Sequence, residues 1–144
     1  MFKKCSTEEL LEEVAHRLGD ERTNQYETSI VTLGDKVFDY ENPTPESICI
    51  EDIASALSKT CRYNGHIETF YSVAQHSVLV SQYAPEQYAL EGLMHDAQEA
   101  YVGDLPSPFK LVLTKYNHFE DKVARVISDK FNLQYPIPKI VKYW

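Results

Sequence analysis

Positive charge is scarce in this chain: 14 lysines and arginines stand against 22 aspartates and glutamates, a formal net charge of -8. Proteins that grip nucleic-acid polymers present a basic face, so the balance argues against that use. A small anionic ligand would need cations gathered locally, whether arginine, lysine or a metal ion. Cysteine is sparse as well. Cys5, Cys49 and Cys61 are odd in number and far apart, with no CxxC pair or zinc-ribbon spacing. A disulfide framework is therefore not expected, and the three read as reduced thiols. No apolar run approaches the roughly 20 residues that cross a bilayer. After Lys3 and Lys4 the N-terminus turns acidic where a secretory signal needs its apolar stretch. A cytoplasmic location is the expectation. There is no internal repeat and no low-complexity segment.

What is present suits a soluble globular protein, with 43% apolar and 25% charged residues. A length of 144 residues gives one domain with a real core and is short for two. Ser6 and Glu9 form a capping box ahead of Leu10, Leu11, Val14 and Leu18 at helical spacing, with Gly19 as the stop. Residues 30–39 read as a hairpin turning at Gly34-Asp35. Pro43 and Pro45 impose a loop before a helix over about Ile50 to Ser58. A second capping box, Ser72 with Gln75, opens a helix that carries Val73, Val78, Leu79 and Val80 to Tyr83. Pro85 suits the first turn of the next helix, which runs to Val102 and stops at Gly103, with Leu90, Leu93, Met94 and Ala97 available for the core. The two prolines of Asp104 to Pro108 predict a turn. Asn117 caps a helix bearing Phe119, Val123, Val126, Ile127 and Phe131, and the last residues look like the first turns of another helix. The expected architecture is an all-α bundle with a small β-hairpin near the N-terminus.

The chemistry-bearing residues lie in the middle of the chain: His76 on one helix, the pair His95-Asp96 on the next, and Glu99 one turn later. Imidazole and carboxylate are the usual ligands of a hydrolytic divalent metal. Neighbours on an α-helix point about 100° apart, so His95 and Asp96 converge on one ion only over the groove between them, with His76 supplied from the neighbouring helix. Asp96 and Glu99 share a face, which puts Glu99 where a base for an activated water belongs. Periodicity alone leaves open whether His95, Asp96, Glu99 and Asp104 serve a site or face solvent.

Three segments carry a resemblance: Leu57 to His66, Phe70 to Ser77, and Met94 to Pro108 with its Gly-Asp-Leu-Pro-Ser-Pro turn. Together they resemble the HD-domain metal-dependent phosphohydrolases, in the branch of bacterial 5'-deoxynucleotidases and phage deoxynucleotide triphosphohydrolases. The likeness runs from about Val37 to Trp144 and is densest between Arg62 and Lys110. It implies one HD-type helical domain over 1–144, with residues 1–29 as an N-terminal helical extension. It also implies a hydrolase of nucleotide metabolism that releases phosphate or triphosphate from a small deoxynucleotide. By the resemblance, His76, His95 and Asp96 are metal ligands and Glu99 is the catalytic glutamate. Arg62 contacts the phosphate, Asp104 lies near the sugar, Lys110 stands at a phosphate-binding position, and Tyr63 borders the base. The cofactor implied is a divalent ion: manganese, cobalt, zinc, iron or magnesium. Self-association is a fair expectation, and a phage-encoded chain would act in the host cytoplasm.

The family's fourth ligand is an aspartate on a later helix, expected directly after a segment resembling Ile137 to Trp144. The expectation is either a chain cut short of its last helix or a short form with weakened catalysis, a nucleotide-binding or interaction protein. Asp121 and Asp129 read as solvated charges on an amphipathic helix. His66 could face the phosphate or structure its loop; His16 and His118 read as surface residues.

Overall fold

The computed structural model describes residues 27–113 and 115–143. The opening helix expected from Ser6, together with Cys5 and His16, lies outside them. The described residues are mostly helical, with one small antiparallel sheet. Its strands are β1 (Ser29–Val31) and β2 (Val37–Asp39), paired Ser29 to Asp39, Ile30 to Phe38 and Val31 to Val37. The turn follows the expectation, with Asp35 in the left-handed region at φ 56°.

Helix α1 (Ile50–Lys59) anchors this hairpin through a buried acid. Asp52 accepts from the Thr32 hydroxyl at 2.6 Å and from the Gly34 amide at 2.7 Å. A Cβ on Gly34 would stand 3.1 Å from that carboxylate, so the turn uses glycine for close approach. On the opposite strand Phe38 is fully buried, stacked on Tyr101 at 4.2 Å between ring centres. Around this pair the core gathers Ile53 and Leu57 of α1, Val73, Met94, Val123 and Ile127. Burying each such side chain contributes roughly 1.5–3 kcal/mol.

Helix α2 (Val73–Tyr83) begins as predicted. Ser72 accepts from the Gln75 amide at 3.1 Å, and the Gln75 side chain returns to the Ser72 amide at 2.9 Å. Val78 and Leu79 lie on its exposed side, while Val73 and Val80 are buried. The next stretch departs from the predicted continuous helix. Pro85 stands before a 3-10 turn, Glu86–Tyr88, followed by α3 (Ala89–Met94) and α4 (Glu99–Val102). Between α3 and α4 the chain tightens, with i to i+3 bonds such as Ala97 to Met94 and Glu99 to Asp96. Gly103, at φ 83°, ends it as expected. Leu90 and Leu93 are exposed rather than core, because α3 turns Gly92 and Met94 inward instead. Gly92 faces α2 so closely that a Cβ would meet the Ser81 Cα at 3.0 Å.

The Asp104 to Pro108 stretch, expected as a turn, is irregular through Pro106, and α5 (Ser107–Lys110) begins inside it, with a proline in its first turn. Helix α6 (Tyr116–Phe131) starts earlier than predicted, and Asn117 sits within it rather than capping it. Asn132 ends α6 in the left-handed conformation. The last stretch, Lys139–Tyr143, is wound as a 3-10 helix, and Val141 is buried. Among the described residues no helix is long and apolar enough to cross a membrane.

Candidate metal centre

The site sits where three pieces of chain meet. A short antiparallel bridge between Cys61 and Ser72, with Arg62 N–H donating to Tyr71 at 2.9 Å, ties the Arg62 segment to the start of α2. His76 lies one turn into α2, its amide bonded to the Ser72 carbonyl. His95 and Asp96 lie in the tight stretch between α3 and α4. In 3-10 winding, successive residues point about 120° apart and positions three apart eclipse. Asp96 and Glu99 therefore project in nearly the same direction.

His76 Nε2 stands 3.2 Å from His95 Nε2 and 3.5 Å from Asp96 Oδ2, and His95 Nε2 stands 2.9 Å from the same oxygen. Among the described residues these three form a cluster able to hold a metal ion. Their separations fit the group: ligands bonded at about 2.0–2.1 Å in tetrahedral geometry lie about 3.3 Å apart. His95 Nδ1 lies 2.8 Å from the Gly92 carbonyl. A carbonyl only accepts, so Nδ1 carries the hydrogen, and in the neutral ring Nε2 keeps its lone pair toward the cluster. Burial, reinforced by the Arg62 charge, lowers the His76 pKa and favours the neutral ligand form. Burial raises the Asp96 carboxyl, but its contact with the His95 ring and the nearby Arg62 charge outweigh that and hold its pKa low.

Around the cluster lie the other expected residues. Arg62 Nη1 reaches Asp96 at 3.4 Å and Asp104 at 3.7 Å, while its Nε is buried without a partner. Asp104 Oδ2 and Glu99 Oε2 are likewise buried without a hydrogen bond. Glu99 is 5% exposed, and burial, then the charges of Asp96 and Asp104, pushes its pKa up to about 8. Tyr63 is exposed, with its ring centre 5.1 Å from the Arg62 guanidinium carbon. Tyr63 and Asn64 both hold positive φ, at 56° and 54°. For a tyrosine this is a costly backbone conformation, of the kind that gathers at binding sites. Arg62, Tyr63, His76, His95, Asp96, Glu99 and Asp104 border one cleft of about 650 Å³, within the range of small-molecule sites.

Lys110 borders the same cleft but points into a cluster of its own. Its ammonium lies 2.5 Å from Glu120 and 3.6 Å from Glu99, above the Tyr116 ring at 5.5 Å. The Tyr116 hydroxyl donates to the Gly103 carbonyl at 2.8 Å. His66 is exposed in its loop, outside the lining of the cleft, and His118 is exposed on α6. Asp121 is paired with Arg125 at 2.9 Å and with the Tyr135 hydroxyl, and Asp129 is exposed. Neither aspartate belongs to the cluster around His76.

No protein-family model matches the chain. It is similar to the uncharacterized protein YfdR of Escherichia coli (strain K12), 46% identical over 114 residues, which cover 79% of this chain and 64% of YfdR. It is also similar to an uncharacterized protein of Rhodobacter capsulatus, 34% identical, with 76% of this chain and 61% of the relative covered. The chain thus spans less than two thirds of the length of these curated relatives.

Arg62, Tyr63, His76, His95, Asp96, Glu99, Asp104 and Lys110 all line the cleft, whereas His66 does not. Sequence reasoning missed Glu120, Tyr116 and Gly92. Tyr116 and Glu120 are four apart, and the helical spacing that puts them on one face was available in the sequence. Nothing local in the sequence links that face to Lys110. Gly92 became informative only once α2 was set against α3.

Proposed function

We propose that this chain is a metal-dependent phosphohydrolase of the HD-domain type, acting on a small nucleotide. The observation that carries the reading is the convergence of His76 Nε2, His95 Nε2 and Asp96 Oδ2, from two helical segments, beside a buried acid at Glu99. A divalent ion held by those three side chains supplies Lewis acidity and lowers the pKa of water. Manganese, cobalt, zinc, iron and magnesium are the candidates, by ligand type and by resemblance.

The chain's own residues then have separate tasks. Glu99 Oε2 orients the attacking water and accepts its proton. Arg62, with a buried Nε free to donate, neutralises the phosphate, which is how a chain of net charge -8 accommodates an anion. Asp104 Oδ2, without a hydrogen-bond partner, accepts from a sugar hydroxyl. Tyr63 borders the base at the mouth of the cleft. Preference for a deoxynucleotide rests on the resemblance alone.

The test is incubation of the purified chain with deoxynucleoside mono- and triphosphates and each metal in turn, followed by product identification. Metal-dependent release of phosphate or triphosphate, absent in His95→Ala, is the expected result. A folded chain that releases neither with any metal would overturn the enzyme reading and leave nucleotide binding without turnover.

A further inference from the structure

The resemblance puts Lys110 at a phosphate-binding position, but its surroundings point to different work. An ammonium group has three hydrogens to donate. One is directed at Glu120 at 2.5 Å, and a second lies near Glu99 Oε1 at 3.6 Å. The Tyr116 ring covers it at 5.5 Å. The Tyr116 hydroxyl is fixed in turn on the Gly103 carbonyl, so the ring cannot swing aside without losing that bond. The ammonium charge is thus already matched by Glu120, with Glu99 beside it, and is not left free for a phosphate. Arg62 differs, because its Nε is buried with no acceptor.

We infer that Lys110 is a positioning residue for Glu99, and that Glu120 holds it in place from α6. The chain of contacts runs from Glu120 through Lys110 to Glu99 Oε1. It leaves Oε2, the oxygen without a partner, for water in the cleft. On this account α5 and α6 are linked through the site: the Lys110–Glu120 pair joins the last residue of α5 to the second turn of α6. The inference rests on Glu99 serving hydrolysis, and its test is arranged so that the two can fail separately.

The experiment pairs steady-state kinetics on a deoxynucleoside monophosphate, with Mn²⁺, and a double-mutant cycle on thermal unfolding that needs no turnover. Lys110→Met and Glu120→Gln are each expected to lower kcat about tenfold or more with KM changed less than about threefold. Arg62→Met is expected to raise KM. A tenfold rise in KM with kcat intact in Lys110→Met would overturn the inference and restore the phosphate-binding role. In the unfolding cycle, Lys110→Met should lower Tm in the wild type and have little effect in the Glu120→Gln background. Additive shifts would overturn it, whether or not the chain turns over any nucleotide. Lys110→Arg, which keeps the charge and reach, should recover part of kcat if positioning is its task.

Discussion

Glu99 concentrates the energetics of the site in one carboxyl. Folding moves its pKa from an ordinary value of 4.5 up to about 8, through burial and the neighbouring charges of Asp96 and Asp104. Between those pH values the folded chain binds a proton that the unfolded chain has released. The metal-free chain therefore loses stability as pH rises from about 4.5 to about 8. Glu99→Gln removes the ionisation, so the variant should melt above the wild type at pH 8, with the gap closing near pH 5. An equal difference at both pH values would show that Glu99 does not ionise in this window. In the metal-loaded chain the same variant should keep the ion and lose turnover by about 10²-fold or more, the range for a positioned base. Retained activity would remove Glu99 from the mechanism.

The elements set how accurately these side chains meet. His76 lies in the first turn of α2, so the Ser72–Gln75 capping box fixes the position of a candidate ligand as well as the start of a helix. Ser72→Ala should cost about 1 kcal/mol of stability, read in a denaturant melt, and weaken metal affinity with it. Unchanged metal affinity at lower stability would separate the cap from the site. Gly92→Ala places a methyl 3.0 Å from the Ser81 Cα, forcing α3 away from α2. Because the Gly92 carbonyl also orients His95, this variant should lose both stability and metal affinity. The capping box, the hairpin turn and the Gly103 stop were legible in the sequence because each is decided by residues within a few positions. The break between α3 and α4 was not, since the apolar pattern of Leu90, Leu93, Met94 and Ala97 is equally compatible with one continuous helix. Burial of Met94 and Ala97, with Leu90 and Leu93 turned to solvent, comes from packing against distant segments. The ligand set could be named from residue types, spacing and resemblance, whereas the convergence of His76 with His95 needed the tertiary structure. Glu120 was hidden for the same reason: its partner lies across a turn of chain, with no periodic signal joining them.

Across the described residues, the hairpin and helices α1, α4 and α6 gather a core around Phe38, and the cleft opens beside it. Two cations of this acid-rich chain, Arg62 and Lys110, border that cleft. A metal ion bound there would join α2 to the α3–α4 segment and so couple binding to folding. At a free ion concentration about 100 times its dissociation constant, the folded state gains about 2.7 kcal/mol. Whether His76, His95 and Asp96 hold a divalent ion is read from calorimetric titration of the metal-free chain with Mn²⁺. The expected result is one ion per chain, absent in His95→Ala while that variant keeps its helical circular dichroism. Equal binding by the wild type and a folded His95→Ala would rule out an ion held by these three side chains.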